Sequence, residues 1–272
     1  MQNTEKALIK LIVFDLDDTL LNSNSSISLR TYKAIQQVVA KGIKVTLATG
    51  RMYSSAIPFA RSLGLSVPLI SYNGALITYY PTGEQLFHNP IKQEVAKQVM
   101  QLCRERQWHI QTYLNDVLYV REIDKRAELY ADMTGATPIP VGDQLYTLSG
   151  APTKMLVIAE PGEIEVIKEE FHTQLGNILC IAESKPNYLE INDPAVNKGA
   201  ALKFIAGRLN INSQEIMTFG NGINDIEMLR YSGWGVAVGN SPSVVKNIAR
   251  LVTGSNDEEG VAEVIEKYVL IN

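Results

Sequence analysis

The chain has 272 residues, 46% of them hydrophobic and 20% charged, enough for one large domain or two that share the length. Its net charge of −4 is spread without a basic block, so neither nucleic acid nor an anionic membrane is expected as a partner. A local phosphate site is still open to it, because a few backbone amides and one lysine suffice.

Cys103 and Cys180 lie far apart in apolar contexts outside any CxxC, and read as buried reduced thiols. His88, His109 and His172 show no metal-ligand spacing, which argues against a zinc enzyme. The N-terminal MQNTEKALIK lacks the apolar core of a signal peptide, and no run approaches transmembrane length. The cytoplasm is the expected compartment.

Residues 9–14 (IKLIVF) read as a strand that ends directly in acids and a threonine. Ser28 is placed to cap a helix reaching Lys41, with Leu29, Tyr32, Ile35, Val38 and Val39 on one face and Gly42 closing it. A strand at 43–48, a helix near 53–63 and a third strand from 68 follow. This alternation implies a parallel sheet with right-handed crossovers. The middle differs: runs at 75–80 and 85–89 flank PTGE, which has hairpin chemistry. An amphipathic helix at 91–107 precedes strands at 110–114 and 117–121. After a helix and a loop come a strand at 154–160, a helix at 164–175, and strands at 178–182 and 188–191. This repeated αββ-like pattern predicts an α+β domain over 84–193, inserted into a Rossmann-like α/β domain made of 1–83 and 194–272. The outer rhythm returns with helices at 198–209, 225–230, 242–249 and 261–268 and strands at 216–219, 234–238 and 251–253.

Ligands of an open parallel sheet sit beyond the carboxyl ends of its strands. There the chain carries Asp15-Leu16-Asp17-Asp18-Thr19, then Thr49-Gly50-Arg51, then Asn73-Gly74, then Asn221-Gly222-Ile223-Asn224-Asp225. Three acids within four positions repel one another unless a cation sits among them. A hard divalent ion such as Mg²⁺ takes oxygen ligands and works with substrate phosphate. A lone DxD is more simply a turn and helix cap; with three other polar strand ends beside it, a metal–phosphate site is the better account.

FDLDDTL (14–20), LATGR (47–51), Asn197-Lys198-Gly199 and GNGINDIEM (220–228) together resemble the four ordered motifs of the haloacid dehalogenase superfamily. GVAVGN (235–240) and VTGSNDEEGVA (252–262) narrow the resemblance to its Cof-type phosphatases, which carry a large α+β cap (type IIB) between the second and third motifs. The resemblance implies a Mg²⁺-dependent phosphatase of small phosphorylated metabolites, sugar phosphates foremost, with a cap that sets substrate choice and closes over the site. It implies Asp15 as the nucleophile that forms an aspartyl-phosphate, and Asp17 as general acid and base. Thr49 and Lys198 join them as catalytic groups. Leu16, Thr49, Gly50, Arg51, Asn73, Lys198 and Asn224 are implied to hold the phosphoryl group or substrate. Asp15, Asp17, Asn221 and Asp225 are the implied metal donors. Arg51 serves equally as partner of a helix-face acid, Asn73-Gly74 as a left-handed turn, and Lys198 on its own as a solvated helix-start lysine.

Family members usually carry Asp where this chain has Asn221. An Asn carbonyl coordinates Mg²⁺ without formal charge, so an active enzyme with a high Mg²⁺ demand is expected, with Asp225 compensating directly or through water. Competing readings are a phosphotransferase or sugar-phosphate mutase using the same intermediate, and a phosphometabolite-binding protein with weakened turnover. A dinucleotide-binding oxidoreductase is weaker, since the third glycine position of its fingerprint is Asp225. Oligomeric state is not readable.

Overall fold

A computed structural model describes residues 8–270. Residues 1–7 of the N-terminal stretch read for a targeting signal lie outside the described residues. The chain begins with β1 (Leu11–Phe14), α1 (Leu29–Ala40), β2 (Lys44–Leu47), α2 (Tyr53–Ser62), β3 (Pro68–Ser71), β4 (Leu76–Tyr79) and β5 (Glu84–His88). It continues through α3 (Gln93–Arg106), β6 (Ile110–Leu114), β7 (Val117–Val120), α4 (Lys125–Thr134), β8 (Pro138–Pro140), β9 (Lys154–Ile158), α5 (Pro161–Leu175), β10 (Cys180–Lys185) and β11 (Tyr188–Asn192). It ends with α6 (Lys198–Leu209), β12 (Ile216–Gly220), α7 (Ile226–Tyr231), β13 (Trp234–Ala237), α8 (Ser243–Lys246), β14 (Leu251–Val252) and α9 (Gly260–Tyr268). Two compact units emerge: one runs to Gly50, takes up Ala56–Leu86 and resumes at Asn197, and the other holds Arg51–Ser55 and Phe87–Val196.

The first unit is built on a parallel sheet of order β14-β13-β12-β1-β2. β1 sits between two partners, and its four residues LIVF are buried on both faces, as an apolar run without alternation requires. An isolated parallel bridge between Ala48 and Ile70 links β2 to β3, which continues antiparallel into β4 and then β5. Ser28 starts α1 as expected: its hydroxyl accepts from the Thr31 amide at 3.1 Å, a cap of about 1 kcal/mol. Gly42 follows the helix end at φ 80°, the left-handed region that favours glycine. On one side of the sheet, Leu11, Val13, Ile70 and Ile216 pack with Leu202, Ile205 and Ala206 of α6 and Met228 of α7. The helix expected over 242–249 is confined to the four residues of α8.

The second unit has a sheet of order β10-β11-β9-β6-β7-β8, antiparallel except between β7 and β8. Met155, Val157, Leu189 and Ile191 face Val99 and Cys103 of α3 and Ile164, Ile167 and Phe171 of α5. Burial pushes the Cys103 thiol well above its usual range, so it is an inert core group. α5 starts one turn earlier than expected, because Pro161 occupies its first turn and Glu160 and Glu163 form a capping box. No described helix is long and apolar enough to cross a membrane.

Gly199 marks the closest approach of α6 to α7: a Cβ there would lie 2.6 Å from the Glu227 carbonyl carbon and oxygen. Main chain cannot swing away as a side chain can. Gly199→Ala is therefore expected to destabilise by roughly 1–3 kcal/mol despite the helix propensity gained, seen as a lower urea midpoint at unchanged m-value.

Candidate active site

The polar ends of β1, β2, β3 and β12 are joined by hydrogen bonds within the first unit. Asp15 follows β1 and its amide donates to the Phe219 carbonyl at 3.0 Å, extending the β1–β12 ladder. The chain then makes a single wide turn, in which the Leu20 and Leu21 amides donate to the carbonyls of Asp15 and Leu16 at 3.3 and 2.9 Å. Asp18 holds the left-handed conformation inside it (φ 58°), and Asn240 Nδ2 donates to the Asp18 carbonyl at 2.7 Å. Leu16 is buried, Asp17 half-buried and Asp18 exposed.

Lys198 is the first residue of α6, whose N-cap Asn197 accepts from the Ala200 amide at 2.7 Å. Its side chain is fully buried and its ammonium donates to Asp15 Oδ1 at 2.6 Å and to Asp225 Oδ1 at 2.7 Å. Asp225 is also fully buried, and its Oδ2 accepts from the amides of Asn221 and Gly222 at 2.9 and 2.8 Å. This explains the glycines of GNGIND: a Cβ on Gly220 would lie 2.6 Å from the Asp225 Cβ, and one on Gly222 would lie 2.4 Å from Asn224 Oδ1. Thr19 extends this chain of contacts by donating from Oγ1 to Asn221 Oδ1 at 2.9 Å. Asp15, Lys198, Asp225, Asn221 and Thr19 thus form one connected polar circuit. Thr19 stands outside the residues predicted for the site; its one local signal is a hydroxyl four positions after Asp15 in the same turn.

The other predicted residues gather from neighbouring strand ends. Thr49 is fully buried; its amide donates to the Ile70 carbonyl and its carbonyl accepts from the Asn73 amide, both at 2.9 Å. Half-buried Gly50 follows it. Asn73 is held at φ 59°, and its Oδ1 accepts from Asn224 Nδ2 at 3.0 Å, linking the third strand end to the loop after β12. Arg51 departs from the expectation: it groups with the second unit, where its guanidinium donates to the carbonyls of Thr134 and Met133 at 3.2 and 3.4 Å. Those main-chain carbonyls take donors that a phosphate was expected to receive. Asp225 departs as well. It was expected among the metal donors, directly or through water; in the structure Oδ1 accepts from Lys198 and Oδ2 from two amides.

Electrostatically the circuit is one ammonium between two buried carboxylates. Burial raises the Asp15 pKa from 3.8 to about 7; Lys198 opposes the rise, and Asp225 and Asp17 add to it. Burial works against the Lys198 charge, yet Asp15 and Asp225 outweigh it and hold its pKa above the usual lysine value. The two shifts agree physically: one ammonium cannot neutralise two carboxylates, and the excess negative charge is felt at Asp15. Among the described residues, no three of His, Cys, Asp and Glu cluster so as to hold a metal by themselves. The oxygens of Asp15, Asp17 and Asn221 are hard donors without sulfur or imidazole, a chemistry that suits Mg²⁺ when water and phosphate complete the set.

Between pH about 4 and about 7 the folded protein retains a proton on Asp15 that the unfolded chain releases, so this contribution to stability is lost as pH rises through that window. Chemical denaturation of metal-free Asp15→Asn across it is expected to show a shallower fall than wild type. Lys198→Met strands two buried carboxylates and is expected to cost about 3–5 kcal/mol at pH 8. Its denaturation midpoint is expected to recover towards pH 5, where one carboxylate can take a proton.

The family model of haloacid dehalogenase-like hydrolases matches residues 12–265 of the chain. The chain is 30% identical over 266 residues to the Bacillus subtilis 5-amino-6-(5-phospho-D-ribitylamino)uracil phosphatase YcsE, covering 96% of each protein. It is 29% identical over 263 residues to YitU of the same organism, a phosphatase of the same name, covering 95% of this chain and 97% of that one. The crystal structure of a haloacid dehalogenase-like hydrolase from Bacteroides thetaiotaomicron superposes with a TM-score of 0.88 at 29% identity, covering 95% of this chain and 99% of that one. With its parallel-sheet core, its additional sheets and a match along nearly its whole length, the chain belongs to the haloacid dehalogenase-like hydrolases, in their Cof-type phosphatase branch.

Proposed function

We propose that this phosphatase hydrolyses small phosphomonoesters, sugar phosphates foremost, through an aspartyl-phosphate on Asp15. The observation that carries the proposal is the seating of Asp15 at the end of the central strand, 5% exposed, with Lys198 on one carboxylate oxygen at 2.6 Å. The other oxygen would attack phosphorus as the bond to the ester oxygen breaks, and Asp17 would give its proton to the departing oxygen. Water would then attack phosphorus and lose a proton to Asp17, the Asp15–phosphorus bond would break, and inorganic phosphate would leave. Lys198 would keep Asp15 and a phosphoryl oxygen in register. The Leu16 and Gly50 amides, the Thr49 hydroxyl and Asn224 are assigned to the remaining phosphoryl oxygens, with Asn73 orienting Asn224.

Asp15, the Asp17 main-chain carbonyl and Asn221 Oδ1 would hold Mg²⁺. When bound, the ion would neutralise charge on Asp15 and the phosphoryl group. Two relatives are phosphatases of 5-amino-6-(5-phospho-D-ribitylamino)uracil, whose phosphate sits on a ribityl chain. This supports a phosphate on a polyhydroxylated carbon chain as the substrate class here. A cytoplasmic location suits such metabolites.

Phosphate release from a sugar-phosphate panel with Mg²⁺ tests the proposal. Free phosphate is expected, and an isomerised sugar phosphate in its place would assign the chain to the mutases. Asp15→Asn is expected to lower kcat by on the order of 10⁴-fold or more, and Asp17→Asn by roughly 10²–10⁴-fold. Turnover that survives Asp15→Asn would remove the nucleophile.

A further inference from the structure

We infer that this chain takes up Mg²⁺ and the phosphoryl group as a mutually dependent pair, because Asn221 leaves the cation too little protein charge to be held alone. The inference rests on the metal-assisted hydrolysis proposed above and adds a dependence between its two ligands.

Asp15 supplies the one carboxylate of the donor set, and one of its oxygens already faces the Lys198 ammonium at 2.6 Å. Asp17 contributes a main-chain carbonyl, its carboxyl being assigned to the proton. Asn221 contributes a neutral amide oxygen; Thr19 uses one of its lone pairs at 2.9 Å, and the second is left for a cation. The remaining acid of the loop is Asp225. Turning it outward would take a carboxylate from a fully buried ammonium and strip two amides of their acceptor. The direct protein donors therefore bring the cation one formal negative charge, already shared with Lys198. Mg²⁺ gives up its water reluctantly and is usually held by one or two carboxylates together with substrate phosphates. With so lean a protein share, the phosphate dianion becomes the principal anionic ligand.

The converse also holds. Asp15, Asp225 and Lys198 carry a net negative charge when both acids are ionised, which opposes a phosphate dianion until a cation is present. Each ligand corrects the charge that repels the other, and thermodynamic linkage makes the effect equal in both directions.

Calorimetric titration of MgCl₂ into the metal-free full chain, with and without saturating inorganic phosphate, tests this without turnover. Phosphate is expected to tighten Mg²⁺ binding by about tenfold or more, and Mg²⁺ to tighten phosphate binding by the same factor. In Asn221→Asp, Mg²⁺ alone is expected to bind more tightly and the coupling factor to fall several-fold. Equal Mg²⁺ affinity with and without phosphate overturns the inference and leaves the hydrolysis proposal standing. An unchanged coupling factor in Asn221→Asp overturns the part given to Asn221. Failure of Mg²⁺ to bind in any arm overturns both readings. The wild-type comparison decides by itself if Asn221→Asp does not fold.

Discussion

The buried Lys198 ammonium between Asp15 and Asp225 is the constraint to which the rest of the site conforms. A fully buried lysine keeps its charge only with carboxylates against it, and this one has two, at 2.6 and 2.7 Å. The fold delivers the three groups from separate elements: a strand end, a helix start and the loop after a second strand. Those elements are brought together by the parallel pairing of β1 with β12 and by α6 lying against α7. Gly199 permits that helix contact beside the lysine it positions, and Gly220 clears space for the carboxylate that answers it. Charge, backbone conformation and packing agree at one point.

Neutral hydrogen bonds extend the constraint. Thr19 to Asn221 and Asn73 to Asn224 tie loops from different strand ends without adding charge. Direct hydrogen bonds of this kind are individually worth only about 1 kcal/mol, so their contribution lies in orientation more than in stability. They fix where oxygen atoms point around an acid whose pKa burial raises to about 7.

Much of this was legible in the sequence, for a topological reason. Once strand–helix alternation implies a parallel sheet, the residues after each strand must share one edge, whatever separates them along the chain. Asp15, Thr49, Asn73 and Asn224 were singled out in that way, and Lys198 through motif order. Partner choice was less legible. Whether Asp225 turns to solvent or to a lysine depends on three-dimensional packing, and Thr19 finds its acceptor 202 positions away. Arg51 illustrates the same limit, because its acceptors are main-chain carbonyls of Met133 and Thr134 that no side-chain pattern advertises. β8 was missed for a different cause: Pro-Ile-Pro argues against a strand, yet β8 lies at the edge of its sheet, where absent amides cost little.

The pairing of β1 with β12 also sets an order of assembly. β1 is complete by residue 14, but one of its two sheet neighbours is not made until residue 220. The stretch Phe87–Val196 is continuous in sequence and carries its own core. During synthesis it can therefore consolidate while the early strands wait for their partner. The hydrogen-bonded chain from Asp15 to Asp225 spans that interval, so it cannot close before residue 225 has been made, after the whole of Phe87–Val196.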